Sequence, residues 1–487
     1  MKRYFKILPI ILLLTSQTAC KKGFLDIVPK GSQVAVTVED YALLMNSTSF
    51  YYFQSAGGLR EFVLMGDEIA AEGNLFGKKE RPQTVRAFHW DALIWDAKDY
   101  PLDLNTQTGN MYVCNKIINE VLSSQGNDDQ KKSVQAEAKA SRAFINFLWV
   151  NTYGKPYQSS TAASDPGFPL ITEADITTPS FKRASVQEMY DFIIKDLTEA
   201  IPVLPVQAAA KTRFSKGAAE ALLAKVYLFM GKYQDALTQM NTAFPDVMAS
   251  PLKPRLYDYN VEFGPGGSFQ PIDSYSGPAG FFNTYTDLTQ SALGMIYAGG
   301  SYDGNPFEND GLVLAPQAQA LYEPSDLRLN FYTDIEPNGT PNPGGRLRPY
   351  GIQYIRFGIE LNDMYLLRAE CKARTGDLSG AVADLETLRQ NRMPAADAPV
   401  PGAVAGDQTA LTKFVIDERE REFAFTGFRW FDMRRLSVDP LFAGTAYTHT
   451  VYDPGGNSVY TLKQPERLVL QIPATYLNAN PGMQDNP

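Results

Sequence analysis

Cysteine, histidine and long apolar runs are all scarce in this chain of 487 residues. It holds 3 Cys and 2 His, with no Cys-x-x-Cys and no His-x-x-x-His, so the zinc sites built on closely spaced ligands are excluded. Cys114 and Cys371 each lie in an apolar, helix-like stretch, over 111–122 and 361–375. They read as buried core thiols and not as a disulfide or metal site. No apolar run reaches the roughly 20 residues that a membrane-crossing helix needs. Positive charge is also short, since 45 Lys+Arg against 54 Asp+Glu leave a net charge of -9. That is the wrong sign for neutralising many phosphates, and it excludes nucleic acid as a partner. Neither a nucleophile elbow nor a phosphate-gripping glycine loop is present.

What is present belongs to a folded, water-facing body: 44% apolar and 20% charged residues, with 12% aromatics that are mostly Tyr (26) and Phe (28). Met1-Lys2-Arg3-Tyr4-Phe5-Lys6 is a basic start, followed by a short apolar run over 7–14 broken only by Pro9. This reads as a signal peptide over 1–19. Its close, Thr15-Ser16-Gln17-Thr18-Ala19-Cys20, resembles a lipobox and makes Cys20 the lipidated N-terminus. Two or more acyl chains, at about 0.8 kcal/mol per buried methylene, anchor a protein stably without a span.

Ser185-Val186-Gln187-Glu188 is a capping box, and the apolar residues that follow at Met189, Tyr190, Ile193, Leu197 and Ile201 keep the spacing of one helix face. Residues 136–153 are apolar nearly all the way round, as in a helix at the centre of a stack. Ala224, Tyr227, Gly231, Tyr233 and Ala236 have the spacing of a tetratricopeptide helix, turn and helix. Ala369, Gly376, Leu378 and Ala381 follow the same plan at an offset of 145 residues, with Lys372 in the place of Tyr227. Small Ala lets the paired helices approach, and Gly supplies the left-handed cap between them. Further helices are expected over 407–426 and 428–436. By contrast, 13 Pro and 13 Gly lie between Phe244 and Gly351, with no sustained helical or strand period. The expected architecture is mainly α: about four tetratricopeptide-like helix pairs supporting a loop-rich half with short strands. The chain then divides into 20–244 and 245–487, the latter into a loop-rich 245–351, helices over 352–436 and a C-terminal segment 437–487.

Residues 418–435 are dense in charge and aromatics. Asp417 and Glu418 lie one helical turn before Arg421, and Phe423, Phe425, Trp430 and Phe431 flank Gly427. We read this as a structural helical corner laced by charges and not as a catalytic site.

These segments together resemble one family. Cys20-Lys21-Lys22-Gly23-Phe24-Leu25-Asp26-Ile27-Val28-Pro29 is similar to the start of mature SusD/RagB lipoproteins. The helix pairs follow in that family's order, residues 418–435 match its most specific segment, and Gln471-Ile472-Pro473 through Gln484-Asp485-Asn486-Pro487 resembles its close. The resemblance implies a SusD-like fold and no enzymatic activity or cofactor. It also implies an outer-membrane, cell-surface lipoprotein that captures an oligosaccharide, or in some members a peptide, and passes it to a SusC-like TonB-dependent transporter. An extracellular glycoside hydrolase is the rival, because carboxylates cluster at 67–68, 91–103 and 303–310, and a glycosidase works with two of them. Carboxylates beside aromatics serve sugar binding equally well. On that reading Trp90 and Trp95 form a stacking platform, Asp67, Arg81 and Asn105 supply polar partners, and Tyr285 and Tyr297 approach from a later loop. Each aromatic has an equal alternative reading as core.

Overall fold

The Ser185 hydroxyl accepts the Glu188 amide while the Glu188 carboxylate takes the Ser185 amide at 2.7 Å, so the capping box starts a helix where the sequence places one. The computed structural model describes residues 35–54, 59–78, 82–99, 102–177, 180–274, 276–280, 286–298, 311–336, 338–350, 352 and 354–487. Its principal helices in the first half are α1 (Val38–Leu44), α2 (Leu59–Met65), α3 (Pro82–Phe88), α4 (Leu102–Glu120), α5 (Asp128–Tyr153), α6 (Val186–Ala200), α7 (Lys216–Phe229) and α8 (Tyr233–Ala249). In the second half they are α9 (Leu361–Thr375), α10 (Leu378–Arg389), α11 (Gln408–Phe423), α12 (Phe428–Leu436) and α13 (Ala474–Ala479). About 48% of the chain is helical, with few short strands. Among the described residues, no helix is long and apolar enough to cross a membrane.

Helix α5 is buried at every residue from Ala140 to Tyr153, which places it at the centre of the stack. Its Arg142 grips Asp196 of α6 through two hydrogen bonds of 2.8 and 2.9 Å and reaches Asn115 of α4 at 2.9 Å, tying three helices with one guanidinium. Helices α7 and α8 pair across Gly231 (φ 71°), and α9 and α10 across Gly376 (φ 91°). Both glycines take the left-handed turn that their shared spacing predicts. The sequence boundary at 244/245 falls inside α8, which carries Pro245.

The helical corner is buried and charged throughout. Glu418 of α11 meets Arg421, Arg328 and Arg389 at 2.5, 2.8 and 2.8 Å. Arg419 bridges Asp363 of α9 and Asp432 of α12, and Arg435 joins the same Asp432 to Glu370. Asp417, expected to pair with Arg421, makes no ion pair among the described residues, because Arg421 turns inward to Glu418. Gly427 (φ 83°) starts α12 with the backbone of Val63 only 3.2 Å from where a Cβ would stand, so a side chain there meets both strain and a wall.

Among the described residues the strands form five small sheets, and the two largest have three and four strands. One has the order β1-β3-β5, from Tyr52–Gln54 (β1), Ile296–Ala298 (β3) and Tyr354–Arg356 (β5). The other is four-stranded, β7-β6-β2-β4, from Ile69–Glu72 (β2), Leu312–Leu314 (β4), Thr448–Tyr452 (β6) and Ser458–Thr461 (β7). Part of the aromatic excess in the loop-rich half is core: Tyr259, Phe263 and Phe331 pack round a fully buried Phe269 at 5.3, 5.0 and 5.7 Å between ring centroids. Cys114 and Cys371 are free and buried.

Candidate ligand-binding surface

Helix α3 ends in a turn that decides the fate of both tryptophans. Trp90 adopts φ 53°, its amide closing on Ala87 and the Asp91 amide closing on Arg86. This left-handed step turns the indole inward. Trp90 is 3% exposed, donates its indole N–H to the Met65 carbonyl at 3.0 Å, and stacks on His449 of β6 at 3.8 Å. The expected platform role of Trp90 is therefore corrected: both faces of the ring serve the core. His449 in turn stacks on Phe88 at 4.3 Å. Its ring nitrogens lie 2.6 Å from the carbonyls of Phe88 and Gly66, one of which takes the single N–H of the neutral ring, and this places the ring between α3 and the end of α2. Burial pushes the His449 pKa down to about 4 against the opposing pull of those carbonyls.

The chain then comes back to the surface. Trp95 is half-buried, packed on the core along one side. Around it Arg86 donates to the Ile94 carbonyl at 3.3 Å and to the Asp96 carboxylate at 3.1 Å. Asp99 receives Gln83 and the Asp96 amide, each at 2.6 Å. These bonds fix the backbone of 94–99 and leave a carboxylate-rimmed aromatic surface. His89 and Tyr460 of β7 stack on each other at 3.8 Å, only 10° from parallel. Burial lowers the His89 pKa, with Asp91 opposing. Tyr460 gave no signal in the sequence, because it reaches His89 only through the pairing of strands far apart in the chain.

Asp67 and Asn105, two other expected ligand residues, are engaged elsewhere. Asp67 is paired with Arg429 of α12 at 2.6 Å and holds the α2 loop to the helical corner, a structural duty that takes both carboxylate oxygens. Asn105 accepts the Tyr476 hydroxyl at 2.7 Å and belongs to the junction of α4 with α13. Arg81 and Tyr285 lie outside the described residues, as does Cys20. Tyr297 is described only as the middle of β3, opposite Ile355 of β5, and its side chain lies outside the described part.

Next to Asp67, Glu68 is fully buried, and burial with the neighbouring Asp67 charge pushes its pKa up to about 8. The unfolded chain ionises this group from about 4.5 and the folded chain does not, so its contribution to stability is lost as pH rises from 4.5 to 8. The slope approaches about 1.4 kcal/mol per pH unit inside that window. Thermal melts of Glu68→Gln are expected to fall less steeply than the parent's between pH 5 and 7.5. Parallel curves would contradict the assignment.

Comparison with known proteins gives this geometry its context. Residues 68–228 match a SusD-like family described as starch-binding associating with outer membrane, and residues 350–487 match the SusD family. SusD-like protein P2 of Formosa agariphila is 25% identical over 363 residues, covering 66% of this chain and 69% of that protein. A SusD superfamily protein from Bacteroides thetaiotaomicron superposes with a TM-score of 0.70 at 19% identity, covering 93% of this chain and 100% of the other. A laminarin-binding SusD-like protein superposes with a TM-score of 0.59 at 19% identity, covering 92% and 97%.

Proposed function

Because the chain belongs to the SusD/RagB family, whose members are binding proteins, we propose that it captures an oligosaccharide on the Trp95 surface. We propose further that it is anchored to the outer membrane through Cys20, faces the cell exterior and delivers its ligand to a SusC-like TonB-dependent transporter. The observation that carries the ligand reading is the half-buried Trp95 indole, held on a backbone braced by Arg86, Asp96 and Asp99. A pyranose face lined by C–H groups sheds little hydration when it stacks on an indole, while its hydroxyls need polar partners at the rim. The starch-binding description of the family and the laminarin-binding neighbour support the same ligand class.

Catalysis fits less well. A glycosidase acid needs a raised pKa at a place substrate can reach. Glu68 has the raised pKa but no solvent exposure. The surface carboxylate Asp96 is paired with Arg86, which favours its ionised form and suits accepting hydrogen bonds from hydroxyls better than donating a proton.

An open surface buries only part of a chain-like ligand, so affinity is expected at micromolar to millimolar, about -8 to -4 kcal/mol. Isothermal titration against laminarin and starch oligosaccharides, with a peptide panel beside them, is the test. Trp95→Ala is expected to lower the affinity for the cognate ligand at least tenfold with an unchanged melting temperature. Parent-like binding by that variant would move the site elsewhere. For the anchor, Cys20→Ala is expected to shift the protein from the detergent-extracted membrane fraction to the aqueous one, and a variant that stays with the membrane would refute lipidation at Cys20.

A further inference from the structure

A second concavity, of about 310 Å³, lies between α4, residues 168–176 with Phe181, and the C-terminal segment that carries α13. It involves none of the residues of the Trp95 surface. Its floor is apolar, with Phe181 and Met483 half-buried. Ile176 is 88% exposed and Tyr112 38% exposed at its lip. Single exposed aliphatic residues are ordinary, but an isoleucine bared to this degree beside a preformed apolar hollow marks a surface that gains by being covered.

The walls are rigid and their polar groups are already engaged. The Tyr476 hydroxyl donates to Asn105 at 2.7 Å. Asn480 accepts the Phe181 amide and donates to the Tyr476 carbonyl, both at 2.7 Å. Asn115 and Asn119 donate to the carbonyls of Ile171 and Thr172 at 2.9 and 3.2 Å, which fixes the loop that forms one side. A sugar needs many hydroxyl partners, and this interior offers few. The volume also sits at the bottom of the range for small-molecule sites, enough for one or two large side chains and not for an extended oligosaccharide. At the lip stand two exposed carboxylates, Glu173, which accepts the Asn119 side chain at 2.9 Å, and Asp175, which accepts the Thr177 amide and hydroxyl at 2.7 Å, and among the described residues lining the hollow there is no lysine or arginine.

We propose that this groove seats a peptide segment of a partner protein, an aliphatic or aromatic side chain entering the hollow and a Lys or Arg within two positions of it meeting Glu173 and Asp175. The apolar side chain supplies most of the affinity, and the carboxylates set which segments are accepted.

The test is fluorescence anisotropy on the full chain with two labelled octapeptides, one alternating Leu and Phe with Lys, the other with Glu in place of every Lys. The basic peptide is expected to bind at least tenfold more tightly than the acidic one. Charge reversal by Glu173→Lys with Asp175→Lys is expected to remove that preference. Ile176→Asp makes the groove more acidic and is still expected to weaken the basic peptide at least tenfold, which separates seating in the hollow from attraction to a net-negative protein. Equal binding of both peptides, or parent-like binding by Ile176→Asp, would overturn the proposal. So would displacement of the basic peptide by laminarin or a maltooligosaccharide. Self-association of the parent that Ile176→Asp abolishes would assign the groove to a second copy instead. Titration of glycan by the same variants is expected to be unchanged, so failure here and failure of the Trp95 surface read out separately.

Discussion

Glu418→Ala is expected to lose about 3–5 kcal/mol of stability, read as a lower urea midpoint. The carboxylate is fully buried among Arg421, Arg328 and Arg389. Its removal leaves three guanidiniums facing one another in a place that water does not reach. Arg328 still has Asp326 and Glu422, and Arg389 still has Glu323, so the loss is bounded and not catastrophic. Burial pushes the Glu418 carboxyl upward, but the three guanidiniums override it and hold its pKa far below the ordinary range. A carboxyl depressed in the folded state contributes stability above its unfolded pKa of about 4.5 and loses it as pH falls below that value. Glu418→Gln keeps the shape without the charge, so its acid denaturation should be shallower than the parent's. An unchanged urea midpoint for Glu418→Ala would mean that the charges of this corner balance without it.

Trp90→Ala is expected to cost a comparable amount, about 3–5 kcal/mol, because truncating a packed indole removes both its transfer energy and its neighbours' contacts. The loss would uncover one face of His449 and free the Met65 carbonyl. Trp95→Ala, five positions on, should melt close to the parent, since that indole is covered on one side only. If the two variants melt alike, the division between core and surface at this turn is misplaced.

Much of the fold can be read from spacing. The capping box at Ser185, the glycines at 231 and 376, and the helix break at Gly427 are local signals, each requiring a particular φ or a particular hydrogen bond within a few residues. The charged corner was also legible as structural, because a capture surface has little use for so many closely spaced opposite charges. The pairing was legible in part: Arg421 bonds Glu418, as the i,i+3 spacing expects, and not Asp417, while Arg328 and Arg389 reach Glu418 from segments that local spacing does not connect. The proposed ligand surface was half legible. Trp90 and Trp95 have similar sequence surroundings, and only the positive φ at Trp90, an unusual state for a bulky residue, separates them. Asp67 looked like a sugar partner because its true partner, Arg429, lies in another segment. His89 with Tyr460 escaped notice for the same reason.

The four-stranded sheet has a consequence for the order in which this protein becomes useful. It gathers β2, β4 and the β6–β7 hairpin from the regions 69–72, 312–314 and 448–461. Long loops must close before those contacts repay the lost chain entropy. The hairpins α7/α8 and α9/α10 meet across turns of a few residues and form far sooner. His449, on β6, is the bolt that locks Trp90 and thereby sets the segment leading to Trp95. The folding chain therefore gains its helical frame early and the segment that carries Trp95 late. The setting of that segment is a kinetic milestone that trails the appearance of helical structure.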